Sequence, residues 1–311
     1  MQDQPTEPQG RESDTPHDSA ATLRRRRRQR RKWERVLLVV VAFLVACGLY
    51  AWLWEPRQLI ERDYTLHLAN WPAQCDGLRI DQVTDLHTGS WMNGIDNVDR
   101  VVAKLAASDS DVVVFTGDYV ILSVVLGKYV DPATIANHLA PLTQKKQVYA
   151  VLGNHDWWDG GPRVAAEFER VGIQVLENES TRVGVRDCGF NLVGVDDLTA
   201  GKPQPLAAYA RIDPGLPTIA LEHEPEMFLK FPESTALVLA GHTHGGQVNP
   251  FGLRTPSTFR AKSAALSGEY HVGERTLFVS PGIGTSWLPL RMGRYPEISR
   301  LTLRGREKGA Q

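Results

Sequence analysis

Cysteine is scarce in this chain of 311 residues: Cys47, Cys75 and Cys188 are the only three. No two of them stand in a Cys-x-x-Cys spacing, which excludes a zinc site built on thiolates. Net charge is also nearly absent, with 35 Lys/Arg against 36 Asp/Glu and an overall −1. The basic residues are not spread out. Residues 24–35 hold nine Lys/Arg against the single acid Glu34, and residues 36–311 carry a net −5. A nucleic-acid-binding surface needs basic charge across a folded face, so no nucleic-acid partner is expected. No long internal repeat is evident. The 42% hydrophobic and 23% charged composition is ordinary for a globular protein. This length holds one domain of about 250 residues or two small ones.

Charge is missing altogether from residues 36–54, an uncharged stretch of 19 residues directly behind the basic block. As a helix it would be about 28 Å long, close to the ~30 Å hydrocarbon core of a bilayer. Trp33, Trp52 and Trp54 lie near its ends, where indole rings favour the interface. Residues 1–23 read as a disordered tail, 24–35 as a basic cytoplasmic segment, 36–54 as a single transmembrane anchor and 55–62 as a linker. A domain over 63–303 and a tail over 304–311 complete the chain. Positive charge before the span keeps the N-terminus in the cytoplasm, which places the domain outside the inner membrane. Two alternatives stay open. Arg30-Arg31 before an apolar segment fits a twin-arginine export signal. Leu44-Val45-Ala46-Cys47 resembles a lipoprotein processing site, although seven further apolar residues favour an uncleaved anchor. Whether Cys75 and Cys188 pair, as an oxidising compartment would allow, is left open.

From about Asp63, apolar runs alternate with helical patterns. Strands are expected over Leu78–Thr84, Asp111–Thr116 and Gln147–Leu152. Ile95, Val98, Val101, Val102 and Leu105 recur at helical steps. Further helices are expected over Pro132–Leu142 and Pro162–Val171, with Pro162 suited to a first turn. The second half reads mainly as strands, near 172–176, 182–186, 190–195, 218–221, 236–240, 275–279 and 298–303. The order predicts an α/β fold of two mixed sheets with helices outside. In such folds a ligand crevice forms at the carboxyl ends of the strands.

Five of the nine histidines collect at those ends. They fall in Asp85-Leu86-His87, Gly153-Asn154-His155-Asp156, Glu222-His223 and Gly241-His242-Thr243-His244, with Gly117-Asp118 as a fifth motif. Nothing about folding requires histidine there. Carboxylate oxygens with neutral imidazoles are the donor set of a pair of divalent cations, which can grip a phosphoryl group. Asp85 and His87 stand two apart and share a side if strand geometry continues; His242 and His244 repeat the spacing. His17, His67 and His138 lack such context, and His271 is a weak candidate for substrate contact. Trp157 and Trp158 either wall the pocket or belong to the core.

The five motifs in this order resemble the calcineurin-like metallophosphoesterase superfamily over about residues 63–303. Gly241–Gln247, Ser280–Thr285 and Arg294–Ile298, with the N-terminal anchor, resemble its bacterial membrane-linked YkuE/YaeI-type phosphodiesterases. The resemblance implies a four-layer α/β/β/α sandwich and two divalent metals drawn from Mn, Fe, Zn, Mg or Co. It implies that Asp85, His87 and His244 hold one metal, that Asn154, His223 and His242 hold the other, and that Asp118 bridges them. His155 is then the non-ligand histidine that contacts phosphate and protonates the leaving oxygen, with Asp156 a candidate to orient it.

Two departures from related enzymes carry information. Phosphoprotein phosphatases of the superfamily have Gly-Asp-x-x-Asp-Arg-Gly and Gly-Asn-His-Glu. Here Asp118 is followed by Tyr119, Val120, Ile121 and Leu122, and the later motif ends in Asp156. The usual UDP-2,3-diacylglucosamine pyrophosphatase has Arg where this chain has His155. The expected reaction is hydrolysis of a phosphodiester or pyrophosphate, including lipid-linked phosphates, by in-line attack of a metal-bridging hydroxide. The alternatives are a lipid A pyrophosphatase, an envelope monoesterase and a non-catalytic scaffold. No protein partner is expected.

Overall fold

The computed structural model describes residues 20–122, 124–250 and 265–306. Most of the two expected tails, 1–19 and 307–311, lies outside the described residues. The chain divides into two compact units, one up to Gly48 and one from Leu49. In the first, helix α1 (Ala20–Leu49) starts inside the expected tail and runs through the basic block, with none of its residues buried. The helical path continues through a π turn, Tyr50–Trp54, and a 3-10 turn, Glu55–Arg57. By length and composition, Ala20–Arg57 can cross a membrane.

The second unit begins with strands β1 (Ile60–Leu68) and β2 (Leu78–Val83), then helix α2 (Ile95–Ala107) and strand β3 (Val112–Thr116). Helix α3 (Pro132–Thr143), strand β4 (Gln147–Val151), the short helix α4 (Asn154–Trp158), helix α5 (Gly161–Arg170) and strand β5 (Gln174–Val175) follow. The second half holds β6 (Glu179–Val185), β7 (Cys188–Gly194), α6 (Pro205–Ala208), β8 (Thr218–Leu221) and β9 (Thr235–Ala240). It ends with β10 (Gly268–Val272), β11 (Arg275–Val279) and β12 (Glu297–Gly305).

One sheet has the order β1-β12-β2-β3-β4-β5 and the other β10-β11-β9-β8-β7-β6. Both are mixed. In the first, β2, β3, β4 and β5 run parallel while β12 is antiparallel to β2. In the second, β7, β8, β9 and β11 run parallel. Apolar side chains of both sheets fill the layer between them, including Ile80, Val114, Phe190, Leu239 and Phe278. Helices α2, α3 and α5 cover the outer face of the first sheet through Val101, Leu139 and Phe168. Met227 and Phe228, in a 3-10 turn, and Ala208 of α6 cover the second sheet. This is the α/β/β/α sandwich, with a thin fourth layer among the described residues.

Two features differ from the sequence reading or complete it. The stretch 55–62, expected to be linker, is partly built into the domain: Glu55 and Pro56 are buried, and β1 pairs with β12 from Ile60 opposite Glu297 onward. As an edge strand, β1 leaves much of its polar sequence Ile60–Leu68 exposed, so no apolar run announces it. Cys75 and Cys188 form a disulfide within the inter-sheet layer, with Cα atoms 4.6 Å apart.

Candidate metal centre

The site is assembled from the loops that leave the carboxyl ends of β2, β3, β4, β8 and β9. Strand alternation does not bring the paired residues together, contrary to the sequence reading. β2 ends at Val83 and β9 at Ala240. Beyond them Asp85, His87, His242 and His244 have φ of 50°, 39°, 68° and 51°, and Asp118 has 59°. Non-glycine residues rarely adopt this left-handed region, and its cost is typically held in place at functional sites. Backbone hydrogen bonds fix the kinks. Asp85 N donates to Gly117 O and His87 N to Asp118 O, both at 2.9 Å. Gly117, at φ 93°, has no room for a side chain, since a Cβ would lie 2.5 Å from Gly153 N.

The kinks bring Asp85, His87, Asp118, His223, His242 and His244 into one cluster, buried except at His242. Asp118 Oδ2 lies 3.3 Å from His87 Nε2 and 3.2 Å from His223 Nε2. Asp85 Oδ1 lies 3.2 Å from His244 Nε2 and 3.8 Å from His87 Nε2. His242 Nδ1 is 3.2 Å from His223 Nε2. The groups Asp85/His87/His244 and Asp118/His223/His242 each have ligand atoms within 4.8 Å of one another. A third group, His87/Asp118/His155, spans the space between. Asp85, His87 and His223 are fully buried, and Asn154 is 4% exposed.

The donor chemistry fits divalent cations. Asp85 Oδ1, both ring nitrogens of His87 and Asn154 Oδ1 are buried without a hydrogen-bond partner. Such orphaned atoms cost free energy unless something satisfies them, and together they are hard or borderline metal donors. Outer contacts fix the imidazole tautomers. His223 Nδ1 lies 2.7 Å from Thr116 O. A carbonyl only accepts, so Nδ1 carries the proton and Nε2 faces Asp118. His244 Nδ1 lies 3.3 Å from Gly284 O and 3.4 Å from Arg291 Nη2.

Electrostatics divide these groups. Burial acts to raise the Asp85 and Asp118 carboxyls, but the histidines beside them, His244 for Asp85 and His223 for Asp118, outweigh it. Both stay below the usual range, Asp118 well below. Burial pushes His244 down to about 3 and His155 to about 4, against the pull of the carboxylates. His223 is the exception. Burial opposes its charge, yet Asp118 beside it raises its pKa well above the ordinary value. A cation on Asp118 would compete directly with that proton.

Asp156 does different work from the orienting role expected of it. Its carboxylate accepts from the backbone N–H groups of Asp118, Tyr119, Val120 and Gly153 at 2.8, 2.9, 3.3 and 2.9 Å. It ties the loop after β3 to the turn after β4, and among the described hydrogen bonds it makes none to the His155 ring. Burial and Asp118 push Asp156 up to about 7, while the amide groups favour its ionised form. His155 donates its backbone N–H to Asp118 Oδ1 at 2.9 Å. Its Nδ1 has no partner, and its ring stands edge-on to His87 with centroids 4.6 Å apart. It lines a cavity of about 730 Å³ with Asp118, Asn154, His242 and His244.

Of the other candidates, Trp158 reaches this cavity while His138, His271 and Trp157 are not among its described lining residues. His138 pairs with Asp99, and His271 lies between Glu269 and Thr276. Trp157 packs on the helical core while Trp158 lines the cavity. Arg291 was not singled out from the sequence. It is fully buried and donates to Gly284 O and Pro281 O, with Nη2 3.4 Å from His244 Nδ1. Glu224 and Asp197, around His223 and His242, were also missed, and Glu222 was noted only as part of its motif; each is buried with one oxygen unpartnered. A lone arginine or acid in a loop leaves no periodic signal.

A cluster of potential metal donors at the strand ends of a two-sheet α/β sandwich fits a metal-dependent hydrolase. The profile of the calcineurin-like phosphoesterases matches residues 78–246, and the chain belongs to that family. Its relatives include the metallophosphoesterase YkuE of Bacillus subtilis, 30% identical over 267 residues and covering 82% of this chain and 89% of YkuE. Phosphodiesterase YaeI of Escherichia coli is 28% identical over 225 residues, 71% of this chain and 80% of YaeI. A transmembrane protein with metallophosphoesterase domain from Danio rerio is 28% identical over 287 residues, 86% of this chain; the chain spans 62% of that relative. The chain is a metal-dependent phosphoester hydrolase of the YkuE/YaeI type, and its apolar N-terminal helix points to a membrane protein.

Proposed function

We propose that this protein is a membrane-anchored phosphodiesterase or pyrophosphatase working with two divalent cations. The observation that carries the reading is the position of Asp118 Oδ2, within 3.3 Å of His87 and 3.2 Å of His223, which belong to separate donor groups. Asp85, His87 and His244 would hold one cation and Asn154, His223 and His242 the other, with Asp118 available to both. When bound, such a pair supplies Lewis acidity to the phosphoryl oxygens and lowers the pKa of an attacking water.

The chain's own residues do the rest. Thr116 O holds His223 in the tautomer that offers Nε2. Asp156 keeps the Asp118 and Asn154 loops in register. His155 rests neutral because burial lowers its pKa. Its ring lines the cavity with Nδ1 unpartnered, the position of a group that hands a proton to the leaving oxygen. The Cys75–Cys188 disulfide fits an oxidising compartment, and with the basic block before the anchor it supports a domain outside the inner membrane.

The test is metal content and activity together. Full-length protein loaded with Mn²⁺ is expected to bind about two equivalents and to cleave bis(4-nitrophenyl) phosphate faster than 4-nitrophenyl phosphate. Faster cleavage of the monoester would favour the envelope monoesterase instead. Protein that binds no Mn²⁺ and stays inert would return the chain to the scaffold reading.

A further inference from the structure

The cavity that holds the metal donors has a second end. Trp158, Val248, Trp287 and Leu288 line it, yet their side chains remain 57%, 46%, 81% and 55% exposed. Val125 and Leu126, 56% and 57% exposed, continue the apolar surface, and Val125 N donates to Trp287 O at 3.3 Å. Large apolar side chains grouped at the mouth of a polar site mark a place where something apolar binds. The group is held in position. Gln247 accepts from Ser286 N at 2.8 Å and donates to Leu288 O at 3.0 Å. Trp287 itself sits at φ 59°, a conformation that bulky residues adopt only where their surroundings impose it.

Two further observations say what covers this surface. The described lining residues at this end, Trp158, Val248, Trp287 and Leu288, are uncharged, so the described rim offers apolar contact. The segment just after the rim receives the end of the apolar run. Arg291 N donates to Ala51 O at 3.0 Å, and the Tyr50 and Tyr295 hydroxyls are 2.9 Å apart. The segment beside the rim is thus tied to residues 50 and 51 of the same compact unit.

We infer that the rim formed by Trp158, Val248, Trp287 and Leu288 is a subsite for the hydrocarbon chain of an amphiphilic phosphoester, with the phosphate at the histidine end and the chain along the rim. The inference rests on the phosphoester hydrolase reading and names its substrate class. A membrane lipid or lipid-linked phosphate has this form: an anionic head for the donor cluster and an apolar tail for the indoles and leucine. The neutral rim then discriminates by chain length, because each methylene moved from water to the rim adds to binding.

The experiment compares two esters with one leaving group, 4-nitrophenyl ethyl phosphate and 4-nitrophenyl dodecyl phosphate. Full-length protein with Mn²⁺ is placed in vesicles of digalactosyldiacylglycerol, a lipid without phosphate. The dodecyl ester is expected to have the higher kcat/KM, by about 10- to 100-fold. Partition into the vesicles also favours the dodecyl ester, but equally for every variant. The decisive quantity is the dodecyl-to-ethyl ratio in Trp287→Asn/Leu288→Ser, Asn being tolerated at positive φ. That ratio is expected to fall about 10-fold. Val248→Ser, on a separate loop, is expected to lower it in the same direction. An unchanged ratio in both variants, with the ethyl ester still cleaved, overturns the chain subsite and leaves the hydrolase intact; a rim that merely rests on the bilayer gives this result. If wild-type protein cleaves neither ester, the hydrolase reading falls and the subsite falls with it.

Discussion

Asp118 and His155 are neighbours in space with separate tasks. Asp118→Asn keeps the shape but removes the charge that faces both His87 and His223. It is expected to lower bound Mn²⁺ to at most about one equivalent, measured by elemental analysis after gel filtration. His155→Ala removes a ring that lines the cavity without an Nδ1 partner. Bound metal should survive, and turnover of a diester with a poor leaving group should fall by roughly 10²–10⁴. Since His155 lies within reach of His87 and Asp118, loss of a metal equivalent in this variant would move it from acid to ligand. Arg291 is the buried cation beneath His244, lowered by burial to about 10 and still charged at neutral pH. Arg291→Met leaves the carbonyls of Gly284 and Pro281 without their donor. A cost of about 3–5 kcal/mol is expected, read from the urea midpoint.

At the scale of elements, the strands end and the chemistry begins one or two residues later. β3 and β9 are apolar and buried through most of their length, so hydrophobic runs in the sequence mark them. β2 is mostly buried too but carries Arg79, Asp81 and Gln82 among its apolar residues. Helices α2 and α5 show the three- and four-residue repeat, and α3 has Pro132 in its first turn after Asp131, whose side chain caps Ala133 N. The turns beyond the strands carry no such pattern. The Pro281–Thr285 loop passes so near the site that a Cβ on residue 284 would lie 2.5 Å from His87 Cβ. Gly284→Ala must therefore displace His87 or its own loop. Stability is expected to drop by about 1–3 kcal/mol, with weaker Mn²⁺ binding; a crystal structure with His87 unmoved and unaltered Mn²⁺ affinity would contradict this.

For the whole molecule, two long-range links matter. The Cys75–Cys188 disulfide closes a loop with a sequence separation of 113. Cys188→Ser is expected to cost about 2–5 kcal/mol, seen as a lower unfolding midpoint that reductant no longer changes. The buried donor cluster couples metal to folding. Chelation should lower the melting temperature and Mn²⁺ should restore it, by about 2.7 kcal/mol at a hundredfold excess over Kd. Cys188 is buried in the disulfide, so sidedness needs another reporter. Arg211→Cys in a Cys47→Ser background places a thiol at an exposed position. It is expected to react with an impermeant maleimide from outside intact cells, and labelling only after lysis would reverse the topology.

The sequence by itself determined the layered α/β architecture, the apolar N-terminal segment and which side chains could serve as metal donors. Periodicity, uncharged length and side-chain chemistry are local properties that one chain position carries with it. Edge strand β1 escaped because half its residues face water, and Arg291 because a single buried cation has no period. The tertiary structure alone decided that Asp85, His87, His242 and His244 converge through left-handed kinks instead of strand alternation. It also decided that Asp156 braces backbone amides and that Cys75 meets Cys188. Each of these depends on which distant loop arrives to satisfy a buried polar group, and that is set by packing across the two sheets.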